Sequence, residues 1–187
     1  MIKVLKDFLT HKEISILNEW TDQNHDQNFF QDAEMDIYYP KTRFTTRIVN
    51  TNEESISAVV EYPEEAYQIQ KRIQQYFNLN NILYPPTFRN GIVNGIGFQN
   101  GSICKHSDPM YYENTITVHC NFITQKPVAG GVTIIEDHEY DIEEGDMLMY
   151  AVSELNHEVT PIVGTKPRIL WCYGFCLNLE KAKEIFK

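Results

Sequence analysis

Two histidines, an aspartate and an arginine in the second half of this chain have the types and spacing to hold a metal ion and an anionic co-substrate. His106-Ser107-Asp108 forms an H-x-D pair, His157 follows in Asn156-His157-Glu158-Val159-Thr160-Pro161, and Arg168 comes eleven residues later. Two neutral imidazoles and one carboxylate supply three ligands on one face of an ion and leave other positions open. That arrangement suits a non-haem Fe(II) centre that handles oxygen. A guanidinium meets a carboxylate through a two-pronged, charge-assisted pair. Each piece also has an ordinary reading. His106 and Asp108 before Pro109 fit a solvated turn, His157 fits an exposed or capping histidine, and Arg168 fits a surface ion pair. Structural context decides between them.

The elements that must position these residues change character along the chain. From Phe88 onward, short apolar runs alternate with Gly, Pro and acidic turns. The runs Ile92–Phe98, Ser102–His106, Thr115–Ile123, Val132–Ile135, Met147–Ala151, Glu158–Ile162 and Arg168–Leu177 predict strands. Gln99-Asn100-Gly101, Ala129-Gly130-Gly131, Glu143-Glu144-Gly145-Asp146 and Gly164-Thr165 supply turns between them. Seven or eight strands without an intervening helix predict a mainly β, α+β chain built on a sandwich or jelly roll. Earlier, Ile2 to Phe8 reads as a short strand, and Thr10-His11-Lys12-Glu13 has the form of a capping box ahead of Ile14, Leu17 and Trp20. Residues 21–32 are polar and read as a loop. Ile37 to Tyr39 and Arg43 to Val49 read as strands around Pro40. Pro63, Glu64 and Glu65 open a helix that carries Tyr67, Ile69, Ile73, Tyr76 and Phe77. Such helices would cover one outer face of the sheet and explain strands that are apolar on both sides. The tail from Leu179 to Lys187 reads as a short helix. These readings give a single domain over 1–187, with 1–87 as a supporting region and 88–178 as the core.

Composition narrows the partners. With 26 acidic against 16 basic residues the formal charge is −10. No basic stripe is present, so a phosphate backbone is a poor partner and nucleic acid is disfavoured. No apolar run approaches the roughly 20 residues of a membrane span. Charges at Lys3, Lys6 and Asp7 come too early for a signal peptide, so the expected location is cytoplasmic. Cys104, Cys120, Cys172 and Cys176 form no C-x-x-C pair and lie in strand-like runs, which predicts buried thiols in a reducing compartment. Oligomeric state is not legible.

Several blocks together resemble a family. Gly101-Ser102-Ile103-Cys104-Lys105-His106-Ser107-Asp108, Gly130-Gly131-Val132-Thr133, Gly145-Asp146-Met147-Leu148-Met149-Tyr150, His157-x-Val159-x-Pro161 and Arg168 stand in the order found in Fe(II)/2-oxoglutarate-dependent dioxygenases. Within that superfamily the likeness is to the prolyl 4-hydroxylase-like branch. Val4-Leu5-Lys6-Asp7-Phe8-Leu9 also resembles that family's first strand. The resemblance covers about half the chain. It implies a double-stranded β-helix with N-terminal supporting helices, and Fe(II) held by His106, Asp108 and His157. It also implies 2-oxoglutarate paired with Arg168, O2 as oxidant, and ascorbate as an optional addition. The implied reaction is hydroxylation of a C–H bond in a peptide residue, such as a prolyl, or in a free amino acid, with release of succinate and CO2. Both histidines must be neutral to bind metal, so binding would fall at acid pH.

The chain departs from the family's pattern in one place. Phe98-Gln99-Asn100-Gly101 occupies the spacing at which relatives carry Tyr-x-x-Gly, so the hydroxyl that helps hold the co-substrate is missing. His119, Asn121 and Thr117 are the polar candidates to replace it, and His119 fits a hydrogen-bonded core histidine equally well. Lys166 is also within range of the basic position, but Arg168 begins an apolar strand and Lys166 precedes Pro167 in a turn, so Arg168 is preferred. His138 in its acidic turn reads as solvated. Arg43 and Arg47, near Tyr38 and Tyr39, read as edge-strand charges, with a substrate-facing strand or lid as the alternative. Three other functions compete. A non-catalytic jelly roll or cupin would hold its metal or sugar structurally. A halogenating oxygenase would replace Asp108 by a small residue. An AlkB-type demethylase would carry a second Arg where this chain has Gly174. Substrate choice would lie in loops 21–36, 107–115 and 152–156.

Overall fold

The computed structural model describes residues 1–28, 42–46, 61–86 and 90–187. Strand β1 (Ile2–Leu5) leads through Asp7, whose φ is 51°, into helix α1 (His11–Asn28). The capping box forms: Thr10 N donates to Glu13 Oε2 at 2.8 Å and Glu13 N to Thr10 Oγ1 at 3.3 Å. The helix runs eight residues past the expected end, so residues 21–28 are helical and not a loop. Polar side chains at 21, 23, 24 and 25 bond back into the helix or the sheet. Thr21 is buried with Oγ1 at 2.8 Å from Leu17 O and 3.0 Å from Asn94 Oδ1, and Asn24 Nδ2 donates to Trp20 O. Tertiary contact thereby overrides weak helix propensity. Strand β2 (Arg43–Thr45) is the described part of the run expected over 43–49. Ile37 to Tyr39 and Arg47 lie outside the described residues. Helix α2 (Glu64–Tyr76) starts after Pro63, which occupies the N-cap, and buries Ala66, Ile69 and Ile73.

Among the described residues, ten strands follow without an intervening helix. They are β3 (Ile92–Gly97), β4 (Ile103–His106), β5 (Thr115–Gln125), β6 (Ala129–Gly130), β7 (Thr133–Ile135), β8 (His138–Tyr140), β9 (Met147–Ala151), β10 (His157–Val159), β11 (Ile162–Val163) and β12 (Arg168–Asn178). Helix α3 (Leu179–Ile185) closes the chain, capped by Asn178 through Lys181 N. The major sheet has the order β1-β9-β5-β12-β3-β2 and the minor sheet β4-β10-β7-β8, with β11-β6 as a small third. The strand expected over 158–162 is broken in two. Pro161 has no N–H to give a ladder, and β11 leaves the minor sheet to pair with β6.

Alternation along the two longest strands separates the layers. On the outer face Ile169, Trp171, Tyr173 and Phe175 of β12 and Val118, Cys120 and Phe122 of β5 pack with Leu17 of α1 and Ile69 and Ile73 of α2. Trp20 and Trp171 meet edge to face at 5.4 Å. On the inner face Leu170 and Cys172 join Ile123, Leu148, Tyr150 and, from the minor sheet, Ile135. The expectation that helices cover one outer face is met. One cysteine departs from expectation. Cys120, Cys172 and Cys176 are buried free thiols, but Cys104 is exposed because β4 is an edge strand of the minor sheet. No helix among the described residues is long and apolar enough to cross a membrane.

Candidate metal centre

The minor sheet delivers two imidazoles side by side. His106 ends β4, His157 begins β10, and the two are direct partners in the ladder, with ring centroids 4.4 Å apart. Each ring is anchored on its outer nitrogen. His106 Nδ1 lies 2.7 Å from Cys104 O and His157 Nδ1 3.2 Å from Leu155 O. A backbone carbonyl there selects the tautomer with Nδ1–H, which turns the Nε2 lone pair inward. Asp108 leaves the strand and is fixed by its own N–H donating to Val152 O at 2.9 Å. Its Oδ1 lies 3.3 Å from His106 Nε2 and 4.0 Å from His157 Nε2, while Oδ2 faces His119 Nε2 at 3.5 Å.

The donor atoms of His106, Asp108 and His157 lie within 4.8 Å of one another. Ligands about 2.1 Å from a shared ion sit roughly 3–3.5 Å apart, so small side-chain shifts bring these three onto one ion. Two imidazoles and one carboxylate with open positions fit Fe(II). The electrostatics agree. Burial pushes the Asp108 carboxyl up, but the bond from His106 and the charges of His119, His157 and His106 outweigh it and bring it down to about 2. Asp108 is therefore ionised at neutral pH. Burial lowers His119 to about 4 and also lowers His157, which keeps both rings neutral. For His106, burial is outweighed by the bonds to Asp108 and Cys104 O, and its value is raised.

A cavity of about 290 Å³ opens beside this triad, with His119, Asn121, Tyr150, Thr133, Arg43 and Arg168 among its lining residues. Arg168 is 6% exposed and held in place: Nε donates to Gly131 O at 2.9 Å and Nη2 to Thr133 Oγ1 at 3.4 Å. Gly131 has a φ of 65°, and a Cβ there would meet Arg168 Cδ at 2.9 Å. The Gly-Gly-x-Thr turn is thus the cradle of the guanidinium. Burial and then the Arg43 charge lower Arg168 to about 10, still cationic at neutral pH.

The other candidates separate cleanly. Lys166 is exposed beside Glu144 at 3.4 Å, and His138 is exposed on β8, a strand where a turn was expected. Thr117 Oγ1 donates to Pro109 O and Thr117 does not line the cavity, whereas His119 and Asn121 do. Asn121 Nδ2 donates to Tyr150 Oη at 3.3 Å, and Asn121 Oδ1 is buried without a hydrogen-bond partner. Phe98 packs against the rings of His25 and Phe44. Tyr150 was not foreseen as a lining residue: it stacks edge to face on His157 at 5.2 Å, and its phenol in an otherwise apolar strand was the available signal. Arg43 lines the cavity, in line with the substrate-facing alternative and not with the preferred reading as an edge-strand charge, and its pairing across β3 places it there.

The sequence matches no family model, and no curated protein is significantly similar to it. Solved structures are similar in fold. A viral collagen prolyl hydroxylase from Paramecium Bursaria Chlorella virus-1, solved with 2OG, is 11% identical. The match covers 95% of this chain and 96% of that one with a TM-score of 0.64. A prolyl hydroxylase from Trichoplax adhaerens, in complex with a hypoxia inducible factor oxygen degradation domain peptide fragment, is 13% identical. It covers 98% and 86% of the two chains at a TM-score of 0.64. OsALKBH1 is 16% identical over 93% and 96% at a TM-score of 0.62. The shared architecture is the double-stranded β-helix.

Proposed function

We propose that this chain is an Fe(II)- and 2-oxoglutarate-dependent dioxygenase that hydroxylates a C–H bond of an amino acid or of a residue in a peptide. The observation that carries the reading is one cavity with His106, Asp108 and His157 on one wall and the buried, oriented Arg168 on another. Fe(II), when bound, supplies the oxidising chemistry with O2. One oxygen atom enters the substrate C–H bond and the other enters the succinate formed as 2-oxoglutarate loses CO2. In this reading His106 and His157 bind through Nε2, and Asp108 offsets charge while His119 steadies its second oxygen. Arg168 takes the distal carboxylate of 2-oxoglutarate, and Asn121 with Tyr150 supplies the polar contact that Phe98 cannot. The similar prolyl hydroxylases support an amino-acid or peptide substrate.

A metal-holding domain without catalysis is the second reading. A structural ion is normally enclosed by protein ligands, whereas this triad opens on a cavity. The deciding experiment measures Fe(II) or Mn(II) binding and succinate release over panels of amino acids, peptides and single-stranded DNA or RNA. We expect one metal per chain, and a product heavier by one oxygen from an amino acid or peptide. His106→Ala should abolish both metal binding and turnover with the fold retained. Undiminished turnover in that variant would sink the assignment. Stimulation by nucleic acid alone would overturn the substrate class and leave the iron site standing.

A further inference from the structure

The turn between β7 and β8 supports the metal triad from outside the cavity. Glu136-Asp137 joins the two strands, and Ile135 pairs with His138 across it. Both turn residues have positive φ, 48° at Glu136 and 64° at Asp137. A two-residue hairpin loop of that kind is a type I′ turn, whose backbone favours Asn and Gly. Glutamate is strained in the left-handed region, so its presence at 136 points to a task for its side chain.

That task is visible at Asn156, the residue before His157. Glu136 N donates to Asn156 O at 3.0 Å, and Glu136 Oε1 accepts from Asn156 N at 2.6 Å. Opposed residues of an antiparallel ladder ordinarily exchange two backbone bonds. Glu136 and Asn156 lie one step beyond the paired Ile135 and His157, and there the carboxylate takes over the return bond. The grip anchors the far end of segment 152–156, which connects β9 to β10. That segment holds two members of the triad. Val152 O accepts from Asp108 N at 2.9 Å, and Leu155 O lies 3.2 Å from His157 Nδ1. Glu136 and Asn156 are both exposed, so the grip adds nothing to the core. Asp137 reaches Lys105, the neighbour of His106, at 2.5 Å. With those side chains 78% and 44% exposed, it is a surface pair of little weight.

We propose that Glu136 is a positioning residue for the metal centre. Acting through Asn156 and the Leu155 carbonyl, it fixes the His157 imidazole relative to Asp108, which the same segment holds. The inference rests on the reading of His106, Asp108 and His157 as metal ligands and is independent of the substrate. Ligands set in place beforehand spare the ordering that an ion would otherwise impose, so metal affinity records the grip more than stability does.

The test pairs Mn(II) titration of the full chain with thermal unfolding of the metal-free chain. Glu136→Asn draws the acceptor back by one methylene and suits the left-handed backbone better than Glu does. We expect this variant to bind Mn(II) roughly tenfold or more weakly and to melt no lower than the wild type. Glu136→Gln keeps an oxygen at the same reach and should recover most of the affinity. Asp137→Asn should bind close to the wild-type value. A turn residue with a merely structural role gives the opposite split, a lower melting temperature with Mn(II) affinity unchanged, and that result overturns the inference. A Glu136→Asn chain that melts several degrees lower overturns it whatever its affinity, as does a Glu136→Gln chain that binds as weakly as Glu136→Asn. A wild-type chain that takes up no Mn(II) overturns the metal reading, and this inference with it. Equal uptake by the wild type and Glu136→Asn overturns this inference alone.

Discussion

Arg168 is worth most to the proposed chemistry where its donors are already aimed. With Nε and Nη2 committed to Gly131 and Thr133, binding an anion orders little further. Arg168→Ala should cost about 2–4 kcal/mol of 2-oxoglutarate binding, roughly a 30- to 1000-fold rise in its apparent constant, with metal affinity retained. Lys166→Ala should change little, since Lys166 stands exposed against Glu144. Steady-state titration of the co-substrate against both variants checks the pair, and the reverse pattern would move the anion site to the turn. That His106, Asp108, His157 and Arg168 come together at one cavity was legible in the sequence, because they sit inside short blocks whose spacing suggests a shared site. His119 and Asn121 followed from alternation along one strand. Arg43 was legible only as an alternative to an edge-strand charge, because its place on the cavity depends on pairing with a glycine more than fifty residues away.

Asp146 shows how one element is tied to the next. It is 2% exposed and accepts from Asp7 N and Glu143 N at 3.0 Å each, with Lys6 Nζ at 2.6 Å, joining the end of β1 to the turn before β9. Asp146→Ala leaves two backbone N–H groups without their acceptor and should cost about 2–4 kcal/mol of stability. Burial raises its carboxyl, but the bonds from Lys6, Asp7 and Glu143 outweigh that and hold it below the ordinary 3.8. Glu13 in the α1 cap is likewise lowered from 4.5, with burial outweighed by Arg72 and Thr10. Both groups stabilise the fold above their ordinary values, and that stability is lost as pH falls through the lower folded values. Thermal unfolding followed from pH 7 to 3 should show the loss beginning near pH 4–5, and beginning less steeply in Asp146→Ala. At this scale the sequence was legible wherever local chemistry decides, as in the Thr10–Glu13 box and most strands. It misled where distant contacts decide. Polar residues 21–28 read as loop until Thr21 meets Asn94 across the sheet, and Pro161 divides a run that alternation alone joins.

The whole molecule is a sheet with two occupations. Outward residues of β5 and β12 are the platform for α1 and α2, while their inward neighbours wall the cavity. We propose that residues 1–187 fold as one unit, because β1 pairs with β9 and β2 with β3 inside the major sheet. A fragment beginning at residue 90 would leave Ile92, Ile96, Trp171 and Tyr173 uncovered, and we expect it to aggregate or lack cooperative unfolding, whereas the full chain melts in one transition. The two-sheet architecture was legible from strand spacing and the covering helices from amphipathic spacing; the pairing order was not, because long-range register leaves no local mark. Alternation has a further result for the history such a chain can have. Scaffold and pocket share a backbone but few side chains, so the pocket can be retailored by mutation without renegotiating the platform. Gly95, which lines a small hollow sharing Arg43 and Arg168 with the cavity, is the simplest entry point, since a Cβ there meets Thr45 Cγ2 at an unstrained 3.6 Å. Gly95→Ala should leave stability unchanged or raise it by up to about 1 kcal/mol, and shift tolerance toward ligands one methyl smaller. Substrate preference would then drift among descendants far faster than the fold that houses it.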